Sequence, residues 1–372
     1  MENNDSRRGF ALPRQTLLDV VDANDGATSL REAVSYYLAE QAAGTLPDGA
    51  KVCFDPNVFT QENHTIVLDA ATSFYIDSSL VVDATDLGFN VVLDASMLMN
   101  QLFTVTGAKG NAALAGLTLE NATCSVASSG SFIVKAGATL TLSSFRIANS
   151  TGLFRGGVYV NNATLIIEDS KFDQNYAAIT GSVISAVNSS TVVVSNTIFE
   201  QNYSYIYGGA VELNFRSTAT FTNCSFLDNT SATHGGAVYV AGNSSATFVG
   251  GEFVGNATEA ANGEALYVAV GSDASLADVA FESNTPADMG GAGAPSIRRI
   301  WRPSRFSTST PSFSISPLSS WKTKSRYSNH GVCPRGKGAF HTPSFPIRRG
   351  QLSHLAFINV EKFINAYYRR LK

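Results

Sequence analysis

Residues 219–229, ATFTNCSFLDN, are followed at 235–240 by GGAVYV, and this pair of segments decides the fold. The same order of residue types returns as ATFVGGEFVGN at 246–256 with GEALYV at 263–268, and ASLADVAFESN stands at 274–284. Each copy has a strand-like run, a Phe, and an Asn three residues after that Phe; ATLIIEDSKFDQN and TVVVSNTIFEQN are earlier copies. A unit that recurs at a fixed period indicates a stack of equivalent structural units.

Two sets of residues measure the period. The Asn positions step by 28, 26, 27, 27, 27 and 28 residues: Asn121, Asn149, Asn175, Asn202, Asn229, Asn256 and Asn284. The second set is the apolar position that follows a pair of small residues, such as Gly235 and Gly236, in each copy. It steps by 25, 28, 27 and 28 residues: Val158, Val183, Val211, Val238 and Leu266. Each unit contains strand-like runs and no amphipathic helix. The sequence therefore predicts an all-β protein, a right-handed parallel β-helix or single-stranded solenoid with one coil per repeat.

Three kinds of residue are predicted to hold the coils in register, because equivalent residues of successive coils lie about 4.8 Å apart. An internal aromatic stack is expected from Phe145, Phe172, Phe199, Phe226, Phe253 and Phe281. The Asn residues named above are expected to form a ladder of side-chain amides that satisfies buried turn backbone. Tight corners with positive φ are expected at Gly156, Gly157, Gly208, Gly209, Gly235 and Gly236. Asn121 and Asn149 lie four residues after Leu117 and Phe145, where later copies have three.

A short capping helix is predicted before the repeats, within residues 27–47. Ser29 and Glu32 have the spacing of a capping box, and Gly44 and Pro47 end the pattern. A helix here would cover the open edge of the first coil. The expected organisation is an N-terminal tail at 1–26, this helix, a β-helix at 48–291 and a basic tail at 292–372.

The net charge of -4 conceals an uneven distribution. The 15 Lys and Arg and the single acid, Glu361, after residue 291 give the tail a charge of +14, which leaves -18 for the rest of the chain. An acidic body disfavours nucleic acid as a partner, because phosphate binding needs a basic face. The Ser- and Pro-rich tail is predicted to be disordered, and read-through from a misassembled gene model explains it as well as a functional extension does.

The repeats resemble those of chlamydial polymorphic outer membrane proteins, which carry GGA(I/L/V) and FxxN units. GGAV stands at Gly208 and Gly235, and FxxN at Phe172, Phe199, Phe226, Phe253 and Phe281. ATSLREAV with KVCFDPNVF is similar to the CSLREAI-type start of bacterial and algal β-helix proteins, without its usual Cys. This resemblance implies an extracellular or cell-surface location and an adhesin-like or structural scaffold, whose partners would be cell-surface glycans or proteins.

Candidate catalytic chemistry is sparse. Asp69, Asp83 and Asp94 each end a strand-like run, but their spacings of 14 and 11 do not match the coil period, and an Asp in this position commonly closes a turn. The four cysteines form no CxxC pair: Cys53, Cys124, Cys224 and Cys333. We therefore predict no catalytic, metal or cofactor site. A polysaccharide-active lyase, hydrolase or epimerase on the same fold is the alternative, because fold does not decide function.

Eleven NxS/T sequons occur in the chain. Five coincide with the predicted ladder, where a buried amide cannot carry a glycan: Asn121, Asn149, Asn202, Asn229 and Asn256. The candidate glycosylation sites are therefore the loop residues Asn162, Asn188 and Asn243. The sequence shows neither a signal peptide nor a transmembrane segment. The polar and aromatic loops between the Asn and the small pair are the expected contact surface.

Overall fold

The computed structural model describes residues 16–19, 21–22, 27–68, 73–98, 101–124, 130–260 and 264–301. The basic tail after residue 301, most of the predicted N-terminal tail and Asp69 lie outside these ranges. Within the described ranges, helix α1 is followed by 33 strands and one short 3-10 helix at Thr85–Leu87.

The elements in chain order are α1 (Leu30–Ala43), β1 (Val52–Cys53), β2 (Thr65–Val67), β3 (Phe74–Ile76), β4 (Ser79–Asp83), β5 (Val91–Asp94), β6 (Phe103–Thr106), β7 (Asn111–Ala115), β8 (Leu117–Glu120), β9 (Thr123–Cys124), β10 (Phe132–Lys135), β11 (Thr139–Ser143), β12 (Arg146–Ala148), β13 (Thr151–Gly152), β14 (Val158–Asn161), β15 (Thr164–Glu168), β16 (Lys171–Asp173), β17 (Tyr176–Ala177), β18 (Ile184–Val187), β19 (Thr191–Ser195), β20 (Ile198–Glu200), β21 (Tyr203–Ser204), β22 (Val211–Leu213), β23 (Thr218–Thr222), β24 (Ser225–Leu227), β25 (Thr230–Ser231), β26 (Val238–Val240), β27 (Ser245–Val249), β28 (Glu252–Val254), β29 (Ala257–Thr258), β30 (Glu264–Val268), β31 (Asp273–Glu282), β32 (Ala287–Gly290) and β33 (Ala294–Trp301).

Helix α1 covers the N-terminal end of the solenoid. The Ser29 hydroxyl accepts from the Glu32 amide at 3.2 Å, and the Glu32 carboxylate accepts from the Ser29 amide at 2.9 Å, which is the predicted capping box. Gly44 ends the helix in the left-handed conformation. The buried face of the helix packs on β1 and β4, and the Tyr37 hydroxyl donates to the Ala50 carbonyl. The open edge of the first coil is thereby covered.

The strands form three parallel sheets of 18, nine and six strands. A coil such as β19 to β22 gives two strands to the 18-stranded sheet, one to the six-stranded sheet and one to the nine-stranded sheet. One set of strands that pair in register begins at steps of 25, 27, 27, 27 and 28: Thr139, Thr164, Thr191, Thr218, Ser245 and Asp273. The predicted parallel β-helix with one coil per repeat is therefore confirmed.

One position of the apolar set used to measure the period was wrong by a single residue. Ile184, rather than Val183, pairs with both Val158 and Val211. Val183 and Ile184 are both fully buried, so hydrophobicity did not distinguish them.

The aromatic stack runs through five consecutive coils, with ring centroids 4.6–5.4 Å apart: Phe172, Phe199, Phe226, Phe253 and Phe281. The placement of Phe145 in this stack was wrong, because Ile147 is the residue that pairs with Phe172. Phe145 lies two residues earlier on the same side of the chain, and its ring meets the Phe132 ring edge-on at 5.8 Å.

The amide ladder joins Asn175, Asn202, Asn229, Asn256 and Asn284. In each step the Oδ1 atom of one Asn accepts from the backbone N–H and the side-chain amide of the Asn one coil earlier, at 2.9–3.1 Å. The Nδ2 atom also donates to a carbonyl of an earlier coil, as from Asn229 to Phe199 at 2.9 Å. From Asn175 to Asn256 the amides are buried, so they satisfy groups that have no access to water.

Asn121 and Asn149 do not belong to this ladder, which corrects the prediction. Counted from Ile147, the third residue is Ser150, whose backbone N–H donates to Asn175 Oδ1 at 3.1 Å. Asn149 instead occupies an exposed left-handed corner with φ 52°, and Asn121 is half-buried at the equivalent corner with φ 61°. Asn149 was counted from Phe145 and Asn121 from Leu117, whereas strand pairing places Ile147 and Leu119 at the position of Phe172.

The corner glycines serve two purposes. Gly208 and Gly235 have φ values of 63° and 66°, which favour glycine. Gly209 and Gly236 lack a positive φ, and are required because a Cβ there would collide with backbone of the following coil. The prediction of positive φ was also wrong for Gly156 and Gly157, where a Cβ would meet carbonyls of the following coil: Ser182 and Val183, respectively.

The parallel pairing extends past the predicted end at residue 291. Strand β33 pairs with β31, with register shifts between Leu276 and Ala277 and between Ala277 and Val279. Backbone pairing needs no ladder side chain, so the loss of the repeat pattern did not mark the last strand.

Candidate binding face

The loops that join the six-stranded to the nine-stranded sheet lie over an outward column of the nine-stranded sheet, and we call this surface the loop face. The column consists of Tyr159, Ser185, Glu212, Tyr239 and Tyr267, which are paired strand to strand. The overlying loops are themselves in register, as shown by the bridges from Thr180 to Tyr207 and from Tyr207 to His234. The loop face therefore consists of two layers of side chains.

Four rings, which we call the aromatic clasp, join these layers. The Tyr207 ring stacks on Tyr239, and the His234 ring stacks on Tyr267, each with centroids 4.4 Å apart. In both pairs a loop residue of one coil covers a sheet residue of the next. Burial lowers the pKa of His234, which favours the neutral imidazole in this stack. The clasp fixes the loops at two successive coils, and each stacked pair contributes about 0.5–1.5 kcal/mol beyond area burial.

A buried polar relay holds an earlier loop to the same column. The Arg155 Nε atom donates to the Ser185 hydroxyl at 2.9 Å, and that hydroxyl donates to Glu212 Oε2 at 2.7 Å. The Asn214 amide donates to the second Glu212 oxygen at 3.2 Å. The guanidinium of Arg155 lies 4.0 Å from the centroid of the Tyr159 ring. Arg155, Ser185 and Glu212 are 4%, 0% and 5% exposed, so these hydrogen bonds lie away from solvent.

Two exposed tyrosines and a half-buried one form what we call the tyrosine shelf: Tyr176 and Tyr205 are exposed, and Tyr203 is half-buried. The Tyr176 and Tyr203 rings are nearly parallel, with centroids 5.4 Å apart. Tyr176 is 39% exposed and Tyr205 is 50% exposed. The Tyr203 hydroxyl donates to Glu259, and burial together with this carboxylate raises the pKa of Tyr203. The phenol therefore stays protonated and able to donate.

The open side of the shelf lies toward the preceding coil. Thr151, the strand partner of Tyr176, is small and exposed, so it leaves one ring face of Tyr176 without an aromatic neighbour. Beside the shelf runs an exposed edge of side-chain amides formed by Asn149, Gln174 and Gln201, in which Gln174 donates to Gln201 at 3.2 Å. Apolar ring faces and uncharged planar amides therefore stand side by side.

Two of the carboxylates considered from sequence, Asp83 and Asp94, close turns. Asp83 accepts from Lys51 at 2.8 Å and from the Thr85 backbone at 2.9 Å, and Asp94 accepts from the Ser96 backbone and from Asn121. Across the described ranges, no group of three or more His, Cys, Asp or Glu residues has the geometry to hold a metal ion.

Cys124 and Cys224, both buried in the described part of the chain, are free cysteines. Burial raises the pKa of Cys124 to about 12 and that of Cys224 to about 11, so both stay as thiols. Cys333 lies outside the described residues.

The three candidate glycosylation sites, Asn162, Asn188 and Asn243, are exposed at left-handed corners with φ values of 50°, 58° and 59°. These corners join the nine-stranded sheet to the 18-stranded sheet, so they lie away from the loops of the loop face.

The relay and Glu264 were not found from the sequence. Glu212 lies one residue after Val211 of the repeat, and a polar residue inside that short apolar run was the available signal. Glu264 occupies the place of Gly209 and Gly236 in its coil, since Leu266 pairs with Val238. Its Oε2 atom is buried without a hydrogen-bond partner, and burial raises its pKa to about 7.

The fold and this face define a right-handed parallel β-helix repeat protein. Residues 102–253 match the family model described as "Right handed beta helix region", which spans both the relay and the tyrosine shelf. No curated protein and no solved structure matches the chain. Among the described residues, no helix has the length and apolar character needed to cross a membrane.

Proposed function

We propose that the protein is a surface-exposed or secreted scaffold that binds glycans through the tyrosine shelf. The observation that carries this proposal is the exposed ring face of Tyr176 beside the amide edge of Asn149 and Gln174. Sugars present apolar C–H faces and hydroxyl groups, which such rings and amides complement. The similarity of the repeats to those of chlamydial polymorphic outer membrane proteins supports a surface role.

The rigidity of the loop face also supports a binding role. The relay and the clasp tie successive loops to the sheet, and Tyr205 of the shelf begins the loop that Tyr207 of the clasp holds. Little conformational entropy is therefore lost when a ligand binds to the shelf. The stacked coils offer a long regular surface, and such surfaces suit extended polymeric ligands.

A polysaccharide-active enzyme is the second candidate, and the proximity of Arg155 to Glu212 is the observation that favours it. A carboxylate and an Arg on one face are groups that uronate chemistry uses. Both oxygens of Glu212 already accept hydrogen bonds, however, and the side chains are closed to solvent. We therefore rank binding above catalysis.

Binding is tested with the full chain produced in bacteria, on an array of surface glycans followed by titration of the strongest ligand. Tyr176→Ala and Tyr205→Ala are expected to weaken binding about 2- to 12-fold each, corresponding to a stacked ring worth about 0.5–1.5 kcal/mol. Tyr36→Ala is the matched control, because Tyr36 is 41% exposed on helix α1.

Equal binding by all three variants would refute the assignment of the shelf. Incubation with uronate polymers tests the second candidate, since a lyase releases unsaturated products that absorb in the ultraviolet. Product formation that Glu212→Gln abolishes would favour the enzyme over the scaffold.

A further inference from the structure

We infer that the solenoid carries N-linked glycans at Asn149, Asn162 and Asn243, and that the fold excludes them from the ladder sequons. This inference rests on the proposed passage of the chain to the cell exterior. In the modification, the side-chain amide nitrogen attacks the anomeric carbon of a lipid-linked oligosaccharide. The lipid pyrophosphate leaves, and the amide loses one proton and becomes a secondary amide.

Backbone conformation separates two kinds of sequon in the repeat region. One kind lies at exposed corners in the left-handed conformation, with φ between 50° and 59°: Asn149, Asn162, Asn188, Asn223 and Asn243. The other kind lies in the ladder, with side chains 0–1% exposed: Asn202, Asn229 and Asn256. A corner points its side chain outward between two strands, whereas a ladder position points it into the coil.

The ladder sequons are structural in both of their polar residues. Their amides hold neighbouring coils together, and the hydroxyls two residues later hold the following loop. Ser204 donates to the Tyr207 carbonyl at 2.7 Å, and Ser231 donates to the His234 carbonyl at 3.0 Å. A glycan on a ladder amide would replace an N–H that donates within the stack and would leave no room for coil closure.

Hydrogen bonding divides the corner sequons further. Asn188 donates its amide to Asn161 at 2.9 Å, and Asn223 donates to Asn196 at 3.5 Å. Within the described residues, no hydrogen bond engages the side-chain amides of Asn149, Asn162 or Asn243, so their nitrogen atoms are open to modification.

Asn162 and Asn188 also compete for space. They follow the paired residues Asn161 and Val187 at the same corner of successive coils, so they are separated by one strand spacing of about 4.8 Å. Two branched glycans attached so close together would overlap. The engaged amide of Asn188 makes Asn162 the occupied site of this pair.

The resulting pattern leaves the loops of the loop face bare. No sequon begins at 153–157, 178–183, 205–210 or 232–237, the loops that lead into the nine-stranded sheet. Glycans at Asn162 and Asn243 would cover the opposite corner. Asn149 borders the tyrosine shelf, so its glycan would lie beside the proposed ligand site.

The test is secretion of the full chain from glycosylating eukaryotic cells behind an added leader, followed by site mapping of the folded product by mass spectrometry after enzymatic glycan release in heavy-oxygen water. Occupancy is expected at Asn149, Asn162 and Asn243, and unmodified peptide at Asn202, Asn229 and Asn256. Circular dichroism compared with the bacterial product establishes that the mapped material is folded.

Glycan at any ladder Asn in folded product would overturn the inference, and so would unmodified peptide at all three corners. Asn149→Gln, Asn162→Gln and Asn243→Gln should each remove one glycan mass and leave secretion and the β-sheet spectrum unchanged. The glycan-binding assays use unglycosylated bacterial protein, so failure of this inference and failure of the proposed function are distinguishable.

Discussion

Replacement of Asn229 by Asp tests how much of the stability resides in the amide ladder. Asn229 is fully buried; its Nδ2 atom donates to the Phe199 carbonyl and to Asn256 Oδ1, each at 2.9 Å. Its Oδ1 atom accepts from the backbone and the side chain of Asn202 at 3.1 and 2.9 Å. The substitution changes one atom, keeps both accepted bonds and removes both donated bonds.

The cost follows from two acceptors that lose a donor. The Phe199 carbonyl loses the Asn229 side chain, whereas Asn256 Oδ1 keeps the backbone N–H of Asn229 at 3.0 Å. A buried group that loses its partner costs about 1–3 kcal/mol and a lost second hydrogen bond about 0.5–1.5 kcal/mol, so the two changes together cost about 1.5–4.5 kcal/mol. At neutral pH the new carboxylate also faces two oxygen acceptors, and this repulsion raises its pKa. Protonation restores one donor, so the loss should be smaller at pH 5 than at pH 8.

The matched control is Asn223→Asp, which makes the same change of atoms and charge at an exposed corner. Asn223 has φ 52°, which Asp tolerates, and its single side-chain bond is long at 3.5 Å. Its expected cost is within about 0.5 kcal/mol of zero.

Urea unfolding followed by circular dichroism measures both free energies of unfolding. A difference of less than about 1 kcal/mol between the two variants at pH 8 would refute the reasoning, since the loss at the Phe199 carbonyl alone is assigned at least that much.

Three further predictions concern stability. Gly236→Ala should lower the free energy of unfolding by about 3 kcal/mol or more, because the added Cβ would collide with the Ala257 backbone. Gly107→Ala is the control: Gly107 has φ 82° and open space around it, so the loss there should be about 1–2 kcal/mol. Equal unfolding midpoints of the two variants in urea would contradict the steric role of Gly236. Ser185→Ala should lower the free energy of unfolding by about 2–4 kcal/mol, because Arg155 Nε and Glu212 Oε2 lose their partner. A thermal midpoint equal to that of wild type would show that the relay does not stabilise the loop. Glu264 has a folded pKa raised by burial to about 7 from 4.5, so its contribution to stability is fully present below pH 4.5 and is lost as the pH rises to 7. Glu264→Gln should therefore raise the free energy of unfolding by up to about 3 kcal/mol over wild type at pH 8 and leave it unchanged at pH 4. Urea unfolding at the two pH values measures this, and an increase independent of pH would contradict the raised pKa of Glu264.

The regular coils could be predicted from spacing because parallel stacking places one repeat directly over the next. A coil of 27 residues keeps the same residue types at Phe199 and Phe226, so a period read from the sequence also gives the register in space. The coil from Thr139 to Thr164 has 25 residues, and there the pattern failed. Phe145 and Asn149 match the motif by type, but strand pairing assigns their roles to Ile147 and Ser150.

The loop face could not be predicted because its contacts join residues whose partnership has no sequence period. His234 stacks on Tyr267 of the next coil. Arg155 donates to Ser185 of the next coil from the loop 153–157, which differs in length from the loop 232–237 that holds His234. Such pairs depend on how far each loop is displaced along the solenoid axis toward the next coil, which the strand register alone does not specify. The loops were nevertheless expected to form the contact surface from their polar and aromatic composition.

The stack constrains the two sides of each strand unequally, and this inequality indicates where function can reside. Inward positions must match the coils above and below them, so Phe and Asn recur there at every step from Phe172 to Asn284. The outward column of the nine-stranded sheet meets only loops and solvent, and it changes from Ser185 to Glu212 to Tyr239 in three coils. Variation there costs the solenoid little, because backbone pairing is independent of the outward side chain. A scaffold built in this way can acquire a ligand site on its outward positions, such as the tyrosine shelf, without altering the residues that hold its coils in register.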